Sequence, residues 1–174
     1  MKINFALNFV CLYFLALVIG CDSGPDVAGL VGATNATNIQ KVANSLALYQ
    51  GRIGRPAKDE AELCEFIANN PSIEKNLGLM QIDRTAFKDY LISERDGEPM
   101  FLLYGARIPP RSAIPLVLEA TGVDGSKQVC WSDAKITEVA DAKEYENLKR
   151  GKIKKSESDA QAAALEEAAK GEGN

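Results

Sequence analysis

Ile114-Pro115-Leu116-Val117-Leu118-Glu119-Ala120-Thr121, then Val129-Cys130-Trp131-Ser132, then Ile136-Thr137-Glu138-Val139 is the stretch on which the fold turns. Each piece is short, apolar and rich in β-branched or aromatic residues, which predicts strands over Ile114 to Thr121, Val129 to Ser132 and Ile136 to Val139. Gly122 to Ser126, with Asp124-Gly125 at its centre, supplies turn chemistry between the first two. Just upstream, Phe87 to Ser93 and Met100 to Tyr104 flank Arg95-Asp96-Gly97-Glu98, and this pattern predicts a β-hairpin around an Asp-Gly turn. Pro109-Pro110 marks a loop.

On either side of these strands the period changes. Ile39, Val42, Ala43, Leu46 and Tyr49 fall on one face of a helix. Asn35, Thr37 and Asn38 are candidate caps, and Gly51 and Gly54 end the helix. Pro56 followed by Asp59-Glu60-Ala61-Glu62 predicts a second helix with Asp59 as N-cap and Glu62 at the capping-box position. Its apolar face is Leu63, Phe66 and Ile67, and Asn69-Asn70-Pro71 stops it. Residues 71–85 are mixed and read as irregular or a short helix. Downstream, Asp141 to Arg150 predicts a last helix with Tyr145 and Leu148 facing inward. Two helices followed by an antiparallel run of strands is an α+β fold, with the N-terminal helices packed on a small antiparallel sheet and a C-terminal helix closing it.

The chain has 174 residues and is 46% hydrophobic, enough for one domain with a substantial core. The formal net charge is −4, so the chain as a whole lacks the electrostatic footprint of a nucleic-acid binder. It contains no histidine, which removes the side chain most often used as a general base near neutral pH and as a metal ligand.

At the N-terminus, Met1-Lys2 precedes an apolar run from Ile3 to Ile19, broken only by Asn4 and Asn8. Its strongly apolar core, Phe9 to Ile19, falls short of the roughly 20 residues needed to span a bilayer, and Asp22-Ser23-Gly24-Pro25-Asp26 follows it without a basic stop-transfer cluster. Leu17-Val18-Ile19-Gly20-Cys21 resembles the lipobox of bacterial lipoproteins. The resemblance implies a signal peptide over residues 1–20, cleavage before Cys21 and lipid attachment to the Cys21 thiol. Two or three acyl chains, at about 0.8 kcal/mol per buried CH₂, make a stable anchor. The expected location is the cell envelope, on the extracytoplasmic side of a bacterial membrane. Residues 21–37 then read as the lipidated cysteine and a flexible tether, 38–150 as the folded domain, and 151–174 as a charged Ala/Glu-rich tail. In the tail Leu165 is almost the only large apolar side chain, so no stripe drives its packing. Lys149, Arg150, Lys152, Lys154 and Lys155 form a basic cluster, a candidate contact for anionic lipid or the cell wall.

Leu46-Ala47-Leu48-Tyr49 through Gly54-Arg55-Pro56 to Glu62-Leu63 resembles the globular part of bacterial pseudopilins. Val129-Cys130-Trp131-Ser132-Asp133-Ala134-Lys135-Ile136 with Tyr145 and Leu148 is similar to the final hairpin and helix of pseudopilin-like proteins. The chain lacks the family's prepilin cleavage motif and transmembrane half-helix, so the resemblance implies a fold and a lineage but not filament assembly. Some family members bind calcium in a C-terminal loop. Glu119, Asp124 and Asp133 are the nearest candidates, three scattered carboxylates where calcium takes six to eight oxygen ligands.

Cys64 and Cys130 form an even pair in an oxidising compartment, which leaves two arrangements open: a disulfide, or two separate buried thiols. No nucleophile elbow, phosphate-binding loop, dinucleotide fingerprint or zinc-type cluster is present. Glu60, Glu62, Glu65, Asp89 and Glu94 are available as a carboxylate pair but read more simply as a solvated face, and Trp131 reads as core. No catalytic, cofactor-binding or metal residue is assigned. The expected role is a membrane-anchored, non-enzymatic interaction or structural module with an envelope or cell-wall partner and no nucleic acid. The alternatives are a small-ligand or metal carrier, or a carboxylate-based hydrolase.

Overall fold

A computed structural model describes residues 36–152. The expected signal peptide, Cys21, all but the last two residues of the tether, and the tail beyond Lys152 lie outside the described residues. Among the described residues, four α-helices run α1 Asn38–Ile53, α2 Glu60–Asn69, α3 Glu74–Leu79 and α4 Ala142–Lys149, and short 3₁₀ helices cover Pro71–Ile73 and Arg84–Leu91. The strands are β1 Phe101–Leu102, β2 Pro115–Leu118, β3 Lys127–Trp131 and β4 Ile136–Val139. They form one antiparallel sheet in the order β1-β2-β3-β4. The architecture is α+β, as the sequence implies.

Most of the helix signals act as read, though Gly51, expected to help end the first helix, lies inside it. Thr37 is the N-cap of α1, its backbone N–H donating to Gln40 Oε1 at 3.2 Å. Gly54 ends the helix with φ 80°, a left-handed conformation that a Cβ would strain. Asp59 caps α2 by accepting from the Glu62 N–H at 2.9 Å. Glu62 does not return the bond to Asp59, as a full capping box would. Its carboxylate takes the Lys58 N–H and pairs with Arg55, stapling the Gly54–Pro56 loop to α2 instead.

The sheet is covered on both faces, which makes three layers. Leu102, Leu116, Val117 and Cys130 pack into one cluster with Val42, Leu46 and Tyr49 of α1 and Leu63, Phe66 and Ile67 of α2. Leu118, Val129, Trp131 and Val139 pack on the other face against Tyr145 and Leu148 of α4. Alternation along β3 sends Val129 and Trp131 to α4 and Cys130 to the α1–α2 side. Pro115 sits at the first position of β2, where the register to β3 shifts, one of the few places a sheet tolerates a missing N–H.

The hairpin expected over Phe87–Tyr104 is corrected. Residues Arg84–Leu91 are two short 3₁₀ stretches meeting at a non-helical Ala86 (φ −107°), Asp83 capping the first through the Thr85 N–H at 2.8 Å, with Phe87 and Leu91 both buried. The Asp96-Gly97 turn exists, with Gly97 at φ 72°, but its flanks meet only at the bridge Ile92↔Pro99, and the strand that follows is two residues long.

Ala134 in the β3–β4 turn has φ 62°, the left-handed region where a Cβ costs about 1–2 kcal/mol. Glycine there relieves the strain but loosens the unfolded chain. Ala134→Gly is expected to stabilise the domain by a net ~0.5–1 kcal/mol, a rise of a few degrees in melting temperature by circular dichroism. A lower melting temperature would contradict the turn geometry.

Candidate functional site

The end of the sheet where β2 hands over to the Gly122–Ser126 turn is the most polar part of the interior. Glu119 closes the fully buried strand Pro115–Leu118, and its side chain is 1% exposed. Ser93 Oγ donates to its Oε1 at 2.9 Å, and the Gln128 N–H donates to its Oε2 at 2.7 Å. The Arg95 guanidinium lies 3.6 Å from Oε2 and 3.1 Å from Glu138 Oε1, bridging a buried and an exposed carboxylate. The Glu119 carbonyl accepts from the Tyr145 hydroxyl at 2.7 Å, so α4 is tied to the same residue from the opposite face. Asp96 joins from the neighbouring turn by accepting the Gly122 N–H at 2.6 Å and the Glu98 N–H at 3.0 Å. Burial works to raise the Asp96 carboxyl pKa, and hydrogen bonds from the Glu98 and Gly122 N–H groups, with further ones from the Ser93 side chain and its own backbone, together hold the pKa below the usual value.

A cleft of about 100 Å³ opens between this network and the first turn of α1, lined by Thr37, Asn38, Ser93, Glu94, Arg95 and Glu119 among others. That is room for a few waters at ~30 Å³ each, below the roughly 300–1,000 Å³ of ligand pockets. With both Glu119 oxygens engaged, the arrangement works as a clamp that holds residues 93–95 against the sheet.

The carboxylates singled out in the sequence do not assemble. Asp124 sits at the tip of the β2–β3 turn with φ 51°, and Asp133 accepts the Lys135 N–H in the next turn. Glu62 is committed to Arg55, and that hydrogen bond, followed by the Lys58 N–H, lowers its pKa to about 2. Among the described residues no three His, Cys, Asp or Glu side chains come together as a metal site. Trp131 is core, its Nε1–H donating to Thr137 Oγ1 at 2.9 Å. Sequence reasoning misses Ser93, Arg95 and Gln128 as partners of Glu119, and Glu138 as the second partner of Arg95. The one sequence cue is a glutamate ending an otherwise apolar strand.

Cys64 and Cys130 are free thiols in the structure, the first half-buried and the second buried. Burial, with a small addition from Asp133, pushes the Cys130 thiol up to about 12, and burial also raises Cys64. A maleimide is therefore expected to modify Cys64 slowly in the native protein and Cys130 only after unfolding. Absence of any reaction at either residue in denaturant would show a bridge instead.

Among the described residues no helix is long and apolar enough to cross a membrane. Comparison with protein families, characterised proteins and solved structures finds no match for this chain.

Proposed function

We propose that the protein is a lipid-anchored envelope protein, held on the extracytoplasmic side of a bacterial membrane through Cys21. Its α+β body acts as a non-enzymatic interaction or structural module. The observation that carries this reading is Leu17-Val18-Ile19-Gly20-Cys21 after a short apolar run, followed by a Gly-, Ala- and Asp-rich stretch. A capped helix at Thr37, where the first core residue Ile39 follows at once, supports a body that begins where that tether ends. About 15 tether residues have a root-mean-square reach of roughly 20 Å, enough for the body to move above the head groups. The lineage we propose for the body is that of the pseudopilin globular part, supported by the α1, Gly54–Pro56 and α2 succession.

Metabolic labelling with a clickable fatty acid tests the anchor. Wild type is expected to take the label, and Cys21→Ala to lose it. Equal labelling of the two would overturn the reading.

A further inference from the structure

The molecule carries a basic edge that the anchor does not explain. From Pro99 to Leu118 the chain has no acidic residue, and its only charges are Arg107 and Arg111. Both are exposed on the long connection between β1 and β2, and neither pairs with a carboxylate among the described residues.

That connection is held in shape. Gln50 of α1 makes two hydrogen bonds to the Ile108 backbone, at 2.9 and 3.0 Å, and the Gly105 N–H donates to the Ala57 carbonyl at 2.8 Å. Pro109-Pro110 stiffens it further. The two guanidinium groups are thus presented by a fixed backbone, which reduces the ordering cost of binding.

A second basic element reaches the same edge from α4. Leu103 and Ala113, at the two ends of the connection, pack with Leu148 in one cluster. Lys149 Nζ lies 4.9 Å from the centroid of Phe101, an exposed ring on the edge strand β1, and Arg150 and Lys152 follow, both exposed. Asp59 and Glu60, near Tyr104, bound the basic edge on the α2 side.

We infer that this edge, Phe101 with Arg107, Arg111, Lys149, Arg150 and Lys152, docks on an anionic lipid surface. The inference rests on the anchored reading above, since the membrane is then always within tether reach. An exposed phenylalanine among cations that have no carboxylate partner among the described residues suits the head-group boundary, where the ring enters the apolar side and each cation gains from anionic lipid. An acidic protein segment would use the cations but leave the ring without a partner.

The test uses the full lipidated chain carrying Phe101→Trp, reconstituted in vesicles of phosphatidylcholine with brominated acyl chains, alone or mixed with phosphatidylglycerol. Fluorescence of the introduced indole should be quenched in the mixed vesicles and not in neutral ones, while the buried Trp131 stays unquenched. Wild-type chain, with Trp131 as its single tryptophan, supplies the baseline that separates the two signals. Arg107→Gln with Arg111→Gln should cut the docked-to-free ratio roughly fivefold per charge removed, and high salt should do the same as the Debye length falls from ~10 to ~3 Å. Unchanged melting temperatures keep unfolding out of the reading. A chain that floats with anionic vesicles while the introduced indole stays unquenched overturns the inference and leaves the edge to an acidic protein. A chain that carries no lipid and fails to float with neutral vesicles overturns the anchor instead. Direct flotation with anionic vesicles then decides docking, salt-sensitive binding supporting it and none overturning it.

Discussion

Trp131→Ala is expected to cost the domain about 4 kcal/mol, near the middle of the range for removing a buried tryptophan. The ring is 5% exposed and sits between β3 and α4 with Leu118, Val129, Val139, Tyr145 and Leu148. An eight-residue helix cannot hold its shape alone, so α4 depends on this cluster and on the Tyr145 bond to the Glu119 carbonyl. Truncation leaves a cavity at the centre of that contact and strips the Thr137 hydroxyl of its indole N–H donor. At about 4 °C per kcal/mol for a domain of this size, the melting temperature should fall by roughly 16 °C. Urea titration adds a second readout. If α4 leaves the sheet before global unfolding, the slope of free energy against urea falls, because less surface remains to be exposed. Trp131→Phe keeps most of the apolar contact and should lose less than half as much. A change of only a degree or two in Trp131→Ala would mean that α4 does not close the second face.

Glu119→Ala is the second large effect, expected at about 3 kcal/mol. The alanine leaves the buried Ser93 hydroxyl and the part-buried Gln128 N–H without their acceptor, where a fully buried unsatisfied group costs roughly 1–3 kcal/mol. It also leaves Arg95 with Glu138 alone. Removing one partner of a fully buried ion pair costs about 3–5 kcal/mol. Arg95 is 28% exposed and keeps a second carboxylate, which places this case at the low end. Glu119→Gln separates charge from hydrogen bonding. Its amide can turn the oxygen to the Gln128 N–H and the nitrogen to Ser93 Oγ, so only the attraction to Arg95 is lost. The expected cost is about 1 kcal/mol by equilibrium urea unfolding. Equal losses in the two variants would locate the stabilisation in the ion pair and not in the clamp.

Much of the architecture was legible because its signals are local. The spacing Ile39, Val42, Ala43, Leu46, Tyr49 and the stop at Gly54 mark α1, and Asp59 marks the start of α2. Strand β4 falls on Ile136–Val139 as read, and Tyr145 and Leu148 of α4 are both buried. The misread segment, Phe87–Ser93, is a short apolar run in which helix and strand periods compete. Phe87 and Leu91 are four apart, a helical spacing, and the Asp83-Arg84-Thr85 cap was the deciding cue, placed before the run began.

What the sequence determined by itself, then, is most of the elements, α1, α2, α4 and β2 to β4 among them, and the α+β class. Capping, turn chemistry and hydrophobic period act over three to five residues and need no distant partner. Only the tertiary structure decided which sheet face each helix covers, that Cys130 turns to α1 and α2 while Trp131 turns to α4, and that Ser93 meets Glu119 across 26 positions of sequence. The physical reason is that a buried polar group must find its partners wherever the packed layers bring them. The three-layer packing sets that meeting place, and residue spacing along the chain does not encode it.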